Sequence, residues 1–301
     1  MHRQQRTIAR PVTCSGVGIH SGKKVKVTIK PAPDNHGIKF IRTDLPDCPS
    51  ISAHFNMVVD TSLATVIGID GFIVSTIEHL MASLAGLSID NALVAVDAYE
   101  MPIMDGSAGP FTKSIKAAGI KEQAAPRYCF VIKEPIELQK DGKFVGVYPC
   151  STFKITCTIE YDHDLIKRQT YSVDLSDRTF EREICRARTF GFLHEYEHLK
   201  QYGLAKGVSL KNVIAIDRHN VVNEGGLRYQ NEFVRHKILD CIGDFALLGM
   251  PILGHVVAEK SGHAFNHAFL KELFAQKESW ETVTIQDVQD LSPFQPKSLA
   301  I

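Results

Sequence analysis

Two separate stretches of the sequence carry side chains that could hold a metal ion. In Arg235-His236-Lys237-Ile238-Leu239-Asp240 a histidine and an aspartate stand four residues apart, and Asp244 follows after the same interval. On a helix such residues stack along one face, drifting about 40° per step. Histidine and carboxylate one turn apart can hold a divalent cation, with the second aspartate free to orient a neighbour. The plainer alternative is a solvated face with local ion pairs. The second pair, Glu78-His79, lies far upstream in Ser75-Thr76-Ile77-Glu78-His79-Leu80. Its plain alternative is a helix-capping glutamate beside an ordinary histidine. Together, His79, His236 and Asp240 would supply three protein ligands and leave a fourth position open, as catalytic zinc sites do. Glu78 would then be placed to take a proton from a water whose pKa the metal lowers towards ~7. Cleaving an amide also needs an acid for the leaving amine. His263 in Ser261-Gly262-His263 is the candidate, with Asp244 biasing it towards imidazolium, unless it is a simple turn histidine. With 13 histidines in the chain, most must be bland, and His54, His163, His194, His198, His219, His255 and His267 are discounted.

Those side chains need helices and strands to present them. Within 231–249, Phe233, Ile238, Ile242 and Phe245 recur at helical spacing, and Gly249 with Pro251 stops the pattern. Ser75 and Glu78 read as a capping box for a first helix, with Ile77, Leu80, Met81 and Leu84 as its apolar stripe. Strand patterns occupy 5–13 and 24–31, with the glycine-rich turn Gly16–Gly22 and its His20 between them. Further strands are expected near 37–42 and 91–96, a short pair around 63–74, and a second helix to about Gly119. Lys121–Pro126 is polar, ends in proline and reads as a domain boundary. The second half repeats the order: strands at 129–138, 143–148 and 153–161, the first two joined by an Asp141-Gly142 hairpin. A polar, arginine-rich segment, a short helix around 195–202 and a strand at 213–216 come next. The 231–249 helix, a strand at 252–259 and a last helix from about 263 to 274 follow. The expected fold is α+β and duplicated, because both halves run through the same order of elements. The first repeat, 1–122, supplies Glu78 and His79. The second, 127–301, supplies His236, Asp240 and His263 and carries a βαβ-like insert near 190–216.

Composition narrows the class. Lys plus Arg and Asp plus Glu number 34 each, so no net field draws in nucleic acid or an anionic membrane. Seven scattered cysteines, without a Cys-x-x-Cys pair, read as reduced thiols of a cytoplasmic protein. No signal peptide and no apolar run of membrane-spanning length is apparent.

The motifs Ser75–Leu80, Ile89-Asp90-Asn91, Pro102–Ser107, Arg188–Phe192, Arg235–Asp240 and Ser261–His263, with Gly16–Gly22, resemble those of the UDP-3-O-acyl-N-acetylglucosamine deacetylases, zinc hydrolases of lipid A synthesis. The resemblance runs from about residue 3 to 275 and implies two similar α+β domains whose sheets sandwich a central layer of helices, with the metal at their junction. It implies that His79, His236 and Asp240 bind one zinc ion, with ferrous iron as the alternative, and that Glu78 is the base. It also implies His263 as the acid kept charged by Asp244, and Thr189 as a donor to the tetrahedral oxyanion. Lys237, expected to point off the metal face, would meet a substrate phosphate. Phe190 and Phe192 would line the substrate path, with His20 and Lys260 near the nucleotide sugar. Residues 190–213 hold more apolar side chains than a surface connection needs. They form either a satellite cluster or an acyl-chain passage whose bore Ala205, Ser209 and Ala215 keep open. The expected protein is a monomeric, cytoplasmic deacetylase of a UDP-linked, acylated glucosamine. A non-haem iron oxygenase and a metal-free duplicated binding module are the rivals.

Overall fold

The computed structural model describes residues 1–290, so residues 291–301 of the second repeat's expected span lie outside the described residues. A first sheet orders the strands Val12–Val17, Lys24–Pro31, Ala92–Val96, Ile38–Arg42 and Ser50–Ser52. Alternation explains its faces: Val25, Val27 and Ile29 are buried, while Lys24, Lys26 and Lys30 face water. Two helices follow in this half, α1 (Glu78–Gly86) and α2 (Gly109–Ala118). The second sheet is centred on Ile252–Glu259, which pairs antiparallel with Lys143–Tyr148 and parallel with Phe153–Glu160 and Tyr128–Ile132. Its helical elements are α3 (Asp177–Thr179), which runs into a π-helical turn, α4 (Leu193–Gln201), α5 (Glu232–Phe245), α6 (His263–Ala275) and α7 (Ile285–Asp290). α1 packs on α5, α5 on Phe153–Glu160, α6 on Ile136–Lys140 and Lys143–Tyr148, and α2 on Val12–Val17. The fold is α+β, with helices of both halves meeting between the two sheets.

The contact of α1 with α5 is close because Gly243 has no side chain. A Cβ there would lie 2.2 Å from the Glu78 carbonyl oxygen, so any other residue would force the two backbones apart. Phe190–Phe192 and Ile214–Ile216 pair in parallel, with α4 between them in the chain.

Several local expectations differ from the structure. The capping box does not form: α1 starts at Glu78, behind Ile77, without a side-chain cap. Ser75 instead bridges to Glu100, and the Glu78 carboxylate accepts from the Thr65 amide. The polar stretch Lys121–Pro126 belongs to the strand Ile120–Pro126, which pairs with Gln4–Ile8. The arginine-rich segment contains the strand Arg168–Asp174, antiparallel to Phe153–Glu160. The expected strand 129–138 is two, Tyr128–Ile132 and Ile136–Lys140. Beyond residue 275 lie the strand Trp280–Thr284 and α7.

Candidate active site

α1 and α5 bring His79, His236 and Asp240 together, with one ligand-type atom of each within 4.8 Å of the others. All three are buried. Asp240 Oδ1 lies 3.3 Å from His236 Nε2 and 3.8 Å from His79 Nε2. His236 Nδ1 is 3.0 Å from the Ala187 carbonyl, a contact that makes Nδ1 the donor and leaves Nε2 with its lone pair. The next residue, Arg188, is anchored through Nε to Glu232 Oε1 at 2.8 Å, and this ties the segment that carries the carbonyl to the first turn of α5. Among the described residues, Asp240 Oδ1 and His79 Nδ1 are buried without a hydrogen-bond partner. Orphaned polar atoms of this kind are costly unless something else satisfies them. Burial, with His236 beside it, pushes His79 down to about 3, and burial lowers His236 as well. Burial would raise Asp240, but Coulombic interaction with His236, and then with the Lys237 ammonium, holds it well below its usual range. Two neutral imidazoles and one carboxylate, deprotonated and short of partners, fit a divalent cation.

A second cluster adjoins the first. His263, the first residue of α6, places Nδ1 2.9 Å from Asp244 Oδ2 and Nε2 3.9 Å from Glu78 Oε1. Burial alone would lower His263, but Asp244, by charge and hydrogen bond, with Glu78 and Asp240, lifts it to about 10. Burial raises Glu78 to about 7, against the pull of His263. Base-type and acid-type groups therefore face each other beside the three ligand-type residues.

Both clusters open into a cavity of about 620 Å³. Thr189, Phe190, Phe192, His20, Ala205, Ser209 and Ala215 all line it. Thr189 is held by its amide to the Gly106 carbonyl and by its own carbonyl to the Ile214 amide. Gly106 is obligatory there, because a Cβ would sit 2.1 Å from the Asn212 carbonyl oxygen. Leu193, Leu199, Val208, Leu210 and Val213 line the cavity too, rather than only packing on each other. Lys237 departs from expectation. It does not point away, but donates from Nζ to Asp240 Oδ2 at 2.8 Å and lies over the Phe190 ring. A 3-residue step on a helix lets a long side chain fold back onto its neighbour. Lys260 is not brought to the cavity; it is exposed and paired with Glu160.

Sequence reasoning missed two supports. Asn266 donates from Nδ2 to Asp244 Oδ2 at 2.8 Å, and Thr65 touches Glu78, Asp244 and His263. Asn266 lies one turn beyond His263 and could have been found from that spacing. Thr65 lies outside the helices that carry Glu78, Asp244 and His263, and no spacing marks it.

A family model described as UDP-3-O-acyl N-acetylglycosamine deacetylase matches residues 5–275. Curated relatives named UDP-3-O-acyl-N-acetylglucosamine deacetylase include one from Myxococcus xanthus, 50% identical over 279 residues, covering 93% of this chain and 89% of the relative. One from Syntrophus aciditrophicus is 47% identical over 286 residues, covering 95% and 91%. One from Chromohalobacter salexigens is 47% identical over 292 residues, covering 96% of each.

Proposed function

Because the chain belongs to the UDP-3-O-acyl N-acetylglycosamine deacetylase family, we propose that it hydrolyses the acetamide of a UDP-linked 3-O-(3-hydroxyacyl)-N-acetylglucosamine. The products are acetate and the UDP-linked 3-O-(3-hydroxyacyl)-glucosamine with its amine free, the committed step of lipid A biosynthesis. The observation that carries this reading is the junction of His79, His236 and Asp240 with Glu78 and His263 on one cavity.

His79, His236 and Asp240 would hold the cation, zinc by preference and ferrous iron as the alternative, since the donor set suits both. When bound, it supplies Lewis acidity to the amide carbonyl and acidifies a water. Glu78 accepts that water's proton on its carboxylate. His263 then gives a proton from Nε2 to the leaving amine, and its Nδ1 stays on Asp244 throughout. The Thr189 hydroxyl donates to the oxyanion as the carbonyl carbon becomes tetrahedral. Lys237 keeps Asp240 ionised and gives its remaining donors to the cavity. The Phe190 and Phe192 rings flank the sugar, and His20 approaches it from the glycine-rich turn.

The acyl chain occupies the arm of the cavity beside Ala205, Ser209 and Ala215. Burying each methylene contributes ~0.8 kcal/mol, remote binding energy that holds the amide in place. The two halves act as repeats, 1–122 and from 127 onward, with the cation at their junction and 190–216 as the acyl-binding insert. The protein works as a monomer in the cytoplasm, a placement that its seven free cysteines support. Among the described residues no helix is long and apolar enough to cross a membrane. The test is acetate release from the acylated UDP sugar under anaerobic conditions without reductant. Release supports the hydrolase; a requirement for oxygen and a keto acid would replace it with an oxygenase.

A further inference from the structure

Thr65 touches three groups that the proposed reaction uses, and no role above includes it. Its amide donates to Glu78 Oε2 at 3.1 Å. Its hydroxyl donates to Asp244 Oδ1 at 2.6 Å, and the same oxygen lies 3.2 Å from His263 Nδ1. The residue is 3% exposed. Two elements fix its backbone. It directly precedes the strand Val66–Ile69, which pairs on both sides with Val58–Asp60 and Phe72–Val74. Its carbonyl accepts from the amide of Ile77, the residue before α1.

The geometry saturates Asp244. Oδ1 receives the Thr65 hydroxyl, while Oδ2 receives Asn266 and His263 at 2.8 and 2.9 Å. A carboxylate with donors on both oxygens cannot rotate, so the imidazole docked on it keeps one ring plane. That plane sends Nε2 towards Glu78 Oε1, 3.9 Å away. Glu78 in turn is held on its far oxygen by the Thr65 amide. One residue thus links the base, the acid's support and the acid, which lie on three different helices, α1, α5 and α6.

We propose that Thr65 is a positioning residue that fixes Glu78 and His263 relative to one another through a single hydrogen-bonded frame. The proposal rests on the deacetylase reading, with Glu78 as base and His263 as acid. The side chain and the backbone make separate contributions, and substitution divides them. Thr65→Val keeps the shape, the amide and the carbonyl but removes the hydroxyl. Thr65→Ser keeps the hydroxyl.

The experiment uses metal-loaded protein and the acylated UDP sugar. Thr65→Val should lower kcat about 10- to 100-fold, the scale of one hydrogen bond to a charged group, with KM and metal content unchanged. Thr65→Ser should recover most of kcat. A residue that only maintains the fold would move KM and metal content with kcat, and equal losses in the two variants would overturn the proposal. A second arm needs no substrate. In protein with isotope-labelled histidine, Thr65→Val should shift the ring-nitrogen signals of His263 and leave those of His79 and His236 in place. A wild-type protein that releases no acetate would remove the deacetylase reading, yet the histidine spectrum still decides this proposal. Unmoved His263 signals would overturn it.

Discussion

Among the described residues Asp240 has a buried oxygen without a hydrogen-bond partner, whereas His263 Nδ1 is held by Asp244 and Thr65. The two residues should therefore fail in different ways. Asp240→Ala removes one of three ligands, so metal and activity should disappear together. His263→Ala should keep its metal and lose rate by about 10²–10⁴, the range of a positioned acid. Metal analysis beside kcat separates them, and a metal-free His263 variant would contradict the division of roles. His263 also ties stability to pH. Its folded value, about 10, lies above the ordinary 6.5, so the ion pair with Asp244 stabilises fully below pH 6.5 and is lost as pH rises through 10. Asp244→Asn should be less stable than wild type at pH 6.5, with a gap that shrinks towards pH 10. Urea unfolding at both pH values measures it, and a level or widening gap would refute the assignment. At this scale the sequence was informative where chemistry repeats at helical spacing. His236, Asp240 and Asp244 stack as their interval requires. Lys237 departs from its expected direction because helix geometry places its Cα and not its long, flexible end, which the Asp240 charge draws back.

Among the elements, the crossing of α1 and α5 matters most, because it alone places residues of the two halves in one ligand set. Gly243 is the point of contact. Alanine gains ~1 kcal/mol of helix propensity over glycine, but overpacking against a backbone carbonyl costs about 1–3 kcal/mol. The clash should win. Gly243→Ala should lower the melting temperature and weaken metal binding, measured by thermal unfolding and metal titration on the same protein. Unchanged metal affinity would show that the crossing does not set the ligand distances. α5 itself was legible from Phe233, Ile238, Ile242 and Phe245, all buried as their period demands. The start of α1 was not. The side chain that local rules assign to a cap, Glu78, is taken by a tertiary contact with Thr65. Arg168–Asp174 escaped notice for another reason: as the outer strand it buries only Val173, so its apolar period is too thin to see.

Across the whole molecule, one hydrophobic cluster runs from Ile8 in the first half to Leu273 in α6, with α1 and α5 side chains between them. The strand Gln4–Ile8 pairs with Ile120–Pro126, and Arg6 donates to Asp177 of α3, which ties the chain's beginning to its second half. Such a core should unfold as a unit. The single tryptophan, Trp280, packs on Phe130 and Phe274 of the second half and reports that half alone, while circular dichroism reports both. The two signals should give coincident urea transitions, and separated midpoints would mean that the halves are independent. The α+β architecture followed from the order of elements in each half. The tie between residues 4–8 and 120–126 did not, because a polar segment ending in proline carries linker composition even when an edge strand holds it. Deacetylation should require a cation bound where the halves meet. The most direct measurement is metal content together with acetate release from the acylated UDP sugar, before chelation, after it, and after zinc is restored. The protein should carry about one divalent ion per chain, with release that chelation abolishes and zinc returns. Acetate release at the full rate by metal-free protein would contradict it.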